Sequence, residues 1–200
     1  MDTHDAIAHR RSVYALSGET VVSDARIVEI VGNALYHAPS PWNGQMQRAI
    51  VLFGGRHVQL WDIVEAALLS RVAGDRADGI RAKVATFRNG RGTILWFEDR
   101  AATEALSERF PSYAEVFPVW AEQSMGMAEY AVWVSLEAEG LGVNLQHYNP
   151  IIDDQVRQEF SAPATWVLGA QMVFGHPTAW PTAKDKMPLE ERLRVEGVAS

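Results

Sequence analysis

Residues 118–139, PVWAEQSMGMAEYAVWVSLEAE, carry the longest helical pattern in the chain and constrain its fold more than any other segment. Ala121, Met125, Ala128, Val132, Ser135 and Leu136 recur at helical spacing and face apolar surroundings. The small residues among them permit close helix packing, and apolar or small residues occupy almost every side. Such a helix suits burial between two layers or two subunits. Gly140 follows as a C-cap, because glycine tolerates the left-handed conformation that ends many helices.

The remaining pattern alternates helices with short strands. Residues 3–10 predict a short helix leading into Arg10-Arg11-Ser12, and Gly18 with Thr20-Val21-Val22 predicts a turn and an extended segment. Ser23 caps a second helix whose Ile27, Ile30, Val31, Ala34 and Leu35 lie on one face until Pro39. Residues 48–54, RAIVLFG, read as a buried strand, and Thr93–Phe97 as a second. Helical patterns carry Trp61, Val64, Ala67 and Leu68, then Ile80, Val84 and Phe87, then residues 101–109. Asn149-Pro150 predicts a helix start with Asp153 and Asp154 near its positive end, and that helix stops near Phe160. Thr165–Leu168 and Gln171–Phe174 make a last strand region interrupted by Gly169-Ala170. Beyond it, 175–200 reads as a proline-rich arm. Roughly four strands among helices, with no linker or repeat, predict a single α+β or three-layer α/β/α domain over residues 1–200.

Composition removes several classes of chemistry. The chain has no cysteine, so disulfides, thiolate metal sites, iron–sulfur clusters and cysteine nucleophiles are excluded. Its formal charge of -7 opposes general nucleic-acid binding, which usually needs a basic face. No apolar run reaches the roughly 18 residues of a membrane span, and MDTHDAIAHRR has no signal-peptide core, so the expectation is a cytoplasmic protein with no membrane partner. Histidines at 4, 9, 37, 57, 147 and 176 form no HExxH pair, so no metal is expected. No GxSxG elbow or P-loop occurs, and Gly140-Leu141-Gly142 follows a helix where a Rossmann fingerprint must follow a strand. A nicotinamide cofactor would therefore bind only transiently.

Three constellations carry chemistry. Arg10-Arg11-Ser12-Val13-Tyr14 places two forked guanidinium groups and a hydroxyl just beyond a helix, a combination that suits phosphate. Taken alone, a solvated arginine pair accounts for it more simply. Lys184 and Lys186 are a second cation pair, a surface run unless the tail folds back beside residues 10–12. The loop Ala38-Pro39-Ser40-Pro41-Trp42-Asn43-Gly44-Gln45 either lines a site or owes its Ser and Asn to turn formation. Trp42 and Tyr148 lie beside polar residues in loop-like segments, where a planar ligand could stack, and His147 sits in the same run as Tyr148.

Together RRSVYAL at 10–16, HAPSPWNGQMQR at 37–48, EAEGLGVNLQHYNP at 137–150 and GHPTAWPTAKDKMPLEER at 175–192 resemble the nitroreductase family in order and spacing. The likeness spans nearly the whole chain and is nearest to the short fungal-type nitroreductase-like subfamily. It implies a three-layer α/β/α sandwich, an intertwined homodimer with the 118–139 helix in its core, and one FMN at each end of the interface. Arg10, Arg11 and Ser12 then fall on the FMN phosphate and ribityl region, with Lys184 and Lys186 approaching the same phosphate. Ser40, Asn43 and Gln45 reach the flavin from the other subunit, and backbone groups around Leu145, Gln146 and His147 face its ring. Tyr14 belongs to the same clamp but departs from the Arg or Lys that many members carry there.

The resemblance implies a ping-pong cycle in which NADH or NADPH passes hydride to the flavin N5 and a nitroaromatic or quinone-like acceptor takes its place. No side chain acts as catalyst in that scheme, in keeping with the missing triad. A non-enzymatic flavin-binding regulatory protein, linked to lipid or redox responses, is the alternative the resemblance also allows.

Overall fold

A computed structural model describes residues 2–72 and 76–197. At its centre lies an antiparallel sheet in which β3 (Gly92–Asp99) pairs on one side with β2 (Gln47–Phe53) and on the other with β5 (Trp166–Pro177). Two further strands, β4 (Gly142–Gln146) and β1 (Leu16–Ser17), pair with β5 at its residues 171–175 and 176–177.

Strand alternation sorts the side chains into two cores, because successive residues point to opposite faces. On one face Leu95, Phe97, Leu168 and Val173 meet Leu60, Trp61 and Val64 of α3 (Gly54–Leu69), Val84 and Phe87 of α4 (Arg76–Arg88), and Val156 of α7 (Asp153–Glu159). On the other, Ile94, Trp96, Ala170, Met172 and Phe174 meet Ile27, Ile30 and Val31 of α2 (Asp24–His37) and Met125, Ala128, Val132 and Leu136 of α6 (Phe117–Ala138). A smaller cluster of Met46, Leu106, Phe117 and Ala121 seats α5 (Arg100–Arg109) against α6. With α1 (Thr3–His9), this completes the α+β, three-layer α/β/α arrangement expected from sequence.

Local chemistry explains the boundaries of the key helices. Ser23 Oγ accepts the Arg26 N–H and caps α2 as read from sequence. Gly140 closes α6 at φ +91°, donating to the Glu137 carbonyl while Leu141 donates to that of Leu136. That pair of bonds is the Schellman pattern, sealed by Leu136 and Leu141 in one core cluster.

Four sequence expectations change. The extended segment at Thr20–Val22 is a non-strand stretch including a bend; the strand falls earlier, at Leu16–Ser17, where it can reach β5. The last strand region is one strand, and its interruption is a bulge: Trp96 faces Ala170 and Phe97 faces Leu168, leaving Gly169 as the extra residue. Asn149-Pro150 opens a turn, with the Ile151 N–H donating to the Tyr148 carbonyl, and α7 starts only at Asp153. Finally, β4 makes the sheet five-stranded among the described residues, where roughly four strands were expected. The proposed arm 175–200 extends beyond the described residues at 198–200, and its first part, to Pro177, belongs to β5.

Candidate functional site

The site begins where α1 stops. Asp2 caps that helix by accepting the Asp5 N–H, and Arg10 leaves it at φ -49° and ψ 127°. The following residues then run extended beside β4. The Val13 N–H donates to the Val143 carbonyl at 2.8 Å, Asn144 Nδ2 donates to the Val13 carbonyl at 2.8 Å, and Ser12 bridges Val143 in parallel. Val13 is buried, so Ser12 and Tyr14 turn to the opposite side, as alternation requires.

The far end of the chain returns to the same place. The Thr178 N–H donates to the Ala15 carbonyl at 2.8 Å, and the Trp180 ring meets that of His9 edge-on at 4.7 Å between centroids. Pro181, Thr182, Lys184 and Lys186 thereby line a pocket of about 430 Å³ with Ile7, Arg10, Arg11, Ser12 and Tyr14. Four cationic side chains and the hydroxyls of Ser12, Tyr14 and Thr182 thus surround one cavity within a -7 chain. Ile7, Pro181 and Thr182 gave no sequence signal of their own.

Behind this pocket stands α6. Glu137, 2% exposed, accepts the Arg11 backbone N–H at 2.9 Å and the Trp133 indole N–H at 2.8 Å. Burial raises the Glu137 carboxyl pKa; those two donors and the nearby Arg10 and Arg11 charges pull the other way. The Arg10 guanidinium carbon lies 4.8 Å from the Trp133 ring centroid, a cation–π distance. Sequence reading took residues 133 and 137 as part of a buried helix. The available signal was Glu137 itself, an acidic residue that is buried beside core positions Val132 and Leu136.

Other candidate residues lie elsewhere in the chain. Ser40, Asn43 and Gln45 do not line the arginine pocket; Ser40 Oγ accepts the Gln45 N–H at 3.0 Å and so organises its own turn. Trp42, Asn43 and Gln45 all have positive φ, and Trp42, half exposed, packs on Phe110, Tyr113, Phe117 and Trp120. Leu145 and Gln146 end the strand that holds Val13, with His147 just beyond it, and Gln146 Nε2 donates to Asn144 Oδ1 at 2.9 Å. Tyr148 instead meets Trp61 and Phe87 at the edge of a core. Lys83 of α4 places its Nζ 4.1 Å from the Tyr14 ring centroid. Among the described residues no group of His, Asp and Glu could hold a metal ion.

A three-layer α/β/α fold with a cation-lined pocket between its terminal segments defines a class of small-molecule binding domain. Sequence comparison makes the class specific: the chain belongs to the Nitroreductase family, matching it over residues 7–176. It is 34% identical to the nitroreductase FRM2 of Saccharomyces cerevisiae over 182 residues, covering 90% of each chain. Among solved structures, nitroreductase CinD from Lactococcus lactis in complex with nicotinic acid superposes with a TM-score of 0.91 at 37% identity, covering 98% of this chain and 100% of that one. CinD is also known in complexes with 4-nitrophenol and chloramphenicol. A Desulfovibrio desulfuricans structure of the nitroreductase kind, in complex with FMN, matches with a TM-score of 0.71 at 25% identity, covering 100% and 99%. The chain is thus an oxidoreductase of the nitroreductase kind.

Proposed function

We propose that the chain is an FMN-dependent NAD(P)H oxidoreductase that reduces nitroaromatic or quinone-like acceptors and works as a homodimer. One observation carries this reading: Arg10, Arg11, Lys184 and Lys186, from opposite ends of the sequence, meet around a single pocket. A phosphomonoester carrying about -1.5 to -2 charges fits four cations and neighbouring hydroxyls far better than a neutral ligand would. Without such an anion the like charges repel one another.

Arg10, Arg11, Lys184 and Lys186 hold the phosphate in this reading, and Ser12 and Tyr14 add hydroxyl contacts. Leu145, Gln146 and His147, at the end of β4, face the ring through their backbone. Ser40, Asn43 and Gln45 serve the partner subunit's flavin, which accounts for their separation from the pocket of their own chain. FMN held in this way supplies the redox chemistry, taking two electrons from NADH or NADPH and delivering them to the acceptor. The protein's part is to fix ring and substrate in register and to offset negative charge, tasks that need no nucleophile.

Exposed Val119, Met127 and Tyr130 on α6 supply an apolar surface for the proposed dimer. The ligands named for CinD, flat aromatic molecules among them, support the proposed class of acceptor. The test is spectroscopic. Purified protein should be yellow, lose its visible flavin absorbance on addition of NADH or NADPH, and regain it repeatedly with a nitroaromatic or quinone. Protein that takes up no FMN, or that oxidises neither nicotinamide with any such acceptor, would overturn the assignment.

A further inference from the structure

The arginine pair is held by a helix more than 120 residues away in sequence, and the mode of holding is informative. Glu137 takes the Arg11 N–H, so its contact is with backbone and fixes where the chain runs. Trp133 donates its indole N–H to Glu137 at 2.8 Å and approaches the Arg11 carbonyl at 3.3 Å, which fixes the plane of its ring. Upon that ring lies the Arg10 guanidinium, at 4.8 Å. Arg10 has no carboxylate partner within ion-pair distance among the described residues, while it lines the pocket with Lys184 and Lys186.

We propose that Trp133 is a positioning residue: its ring, oriented by Glu137, pre-sets the Arg10 guanidinium toward the phosphate of the bound mononucleotide. The proposal rests on the phosphate assignment made above. A long, flexible arginine loses rotamer freedom when it grips a ligand, and an aromatic face that already restrains it removes part of that loss. The ring also leaves the guanidinium edge, with its N–H donors, free for oxygen acceptors, whereas a carboxylate partner would occupy them.

The phosphate is the discriminating handle, since riboflavin has the same ring system without it. Binding of FMN and of riboflavin to apoprotein is measured by flavin fluorescence for wild type, Trp133→Leu, Trp133→Phe, Arg10→Gln and Arg10→Gln/Trp133→Leu. Removing a partly exposed cation–π contact should raise the FMN Kd about two- to fivefold in Trp133→Leu and leave the riboflavin Kd unchanged. Trp133→Phe, which keeps an aromatic face and most of the volume, should recover most of the loss and covers the case of a poorly folding leucine variant. The Arg10→Gln protein and the double variant should bind FMN equally, because Trp133 acts only through Arg10. Equal loss for both flavins, no loss for either, or additive effects with Arg10→Gln would overturn the role. Wild type binding FMN no tighter than riboflavin would instead remove the phosphate assignment on which it stands.

Discussion

Arg11 presents two chemically separate faces. Its guanidinium donates to the Ala8 and Arg10 carbonyls, both at 2.9 Å, while its backbone N–H serves Glu137. Arg11→Ala therefore removes a pocket cation and keeps the bond that routes the chain. Its FMN Kd should rise by roughly tenfold, the weight of one charge-assisted contact, and its dependence on salt should flatten; an unchanged value in a fluorescence titration would discard its phosphate role. His57 makes a different kind of prediction. Buried between Thr93 Oγ1 at 2.9 Å and the Arg88 carbonyl at 3.2 Å, its imidazole is pushed down to about 4, chiefly by desolvation. The unfolded chain then takes up a proton near pH 6.5 that the fold refuses, so stability should fall as pH drops from about 6.5 to about 4, by at most about 3 kcal/mol. Urea unfolding at both ends of that window measures it, and His57→Gln should lose this component. Sequence alone left His57 one of six scattered histidines, because its significance lies in Thr93 and Arg88, more than 30 positions away.

Elements were legible where periodicity is long. Helices α2 and α6 and strands β2 and β3 declare themselves within a residue or two, since each carries a sustained apolar or amphipathic pattern in sequence. By contrast β4 is five residues between a helix cap and a turn, and β1 only two, and both exist because β5 offers them an edge. Such strands are properties of the sheet, which a local window does not contain. On α6, Glu129 is half-buried, and desolvation alone pushes its carboxyl up to about 7. The folded chain therefore holds that proton longer than the unfolded one, so the residue's effect worsens as pH rises from about 4.5 to about 7. Glu129→Gln should raise stability above pH 7 by up to about 3 kcal/mol and give no gain near pH 4.5, as read from thermal or urea midpoints.

At the scale of the molecule, the meeting of the two terminal segments was the hardest feature to foresee from pattern. Nothing in RRSVYAL or in TAKDKM specifies the other; their juxtaposition follows from β1 and Thr178 tying residues 15–17 to 176–178. Only the family resemblance announced it. The division of labour that results can be tested. The two main cores draw nothing from beyond residue 174, while Lys184 and Lys186 sit on a solvent-exposed tail. A chain ending at Thr182 should keep nearly the wild-type melting temperature as apoprotein yet elute colourless, while the full chain should elute with the proposed FMN bound; loss of both together would show the tail to be part of the folding unit. Proteases favour such peripheral segments. A single cut there would turn off a redox catalyst without unfolding it, leaving a long-lived, inert remnant that antibodies or melting curves would score as intact.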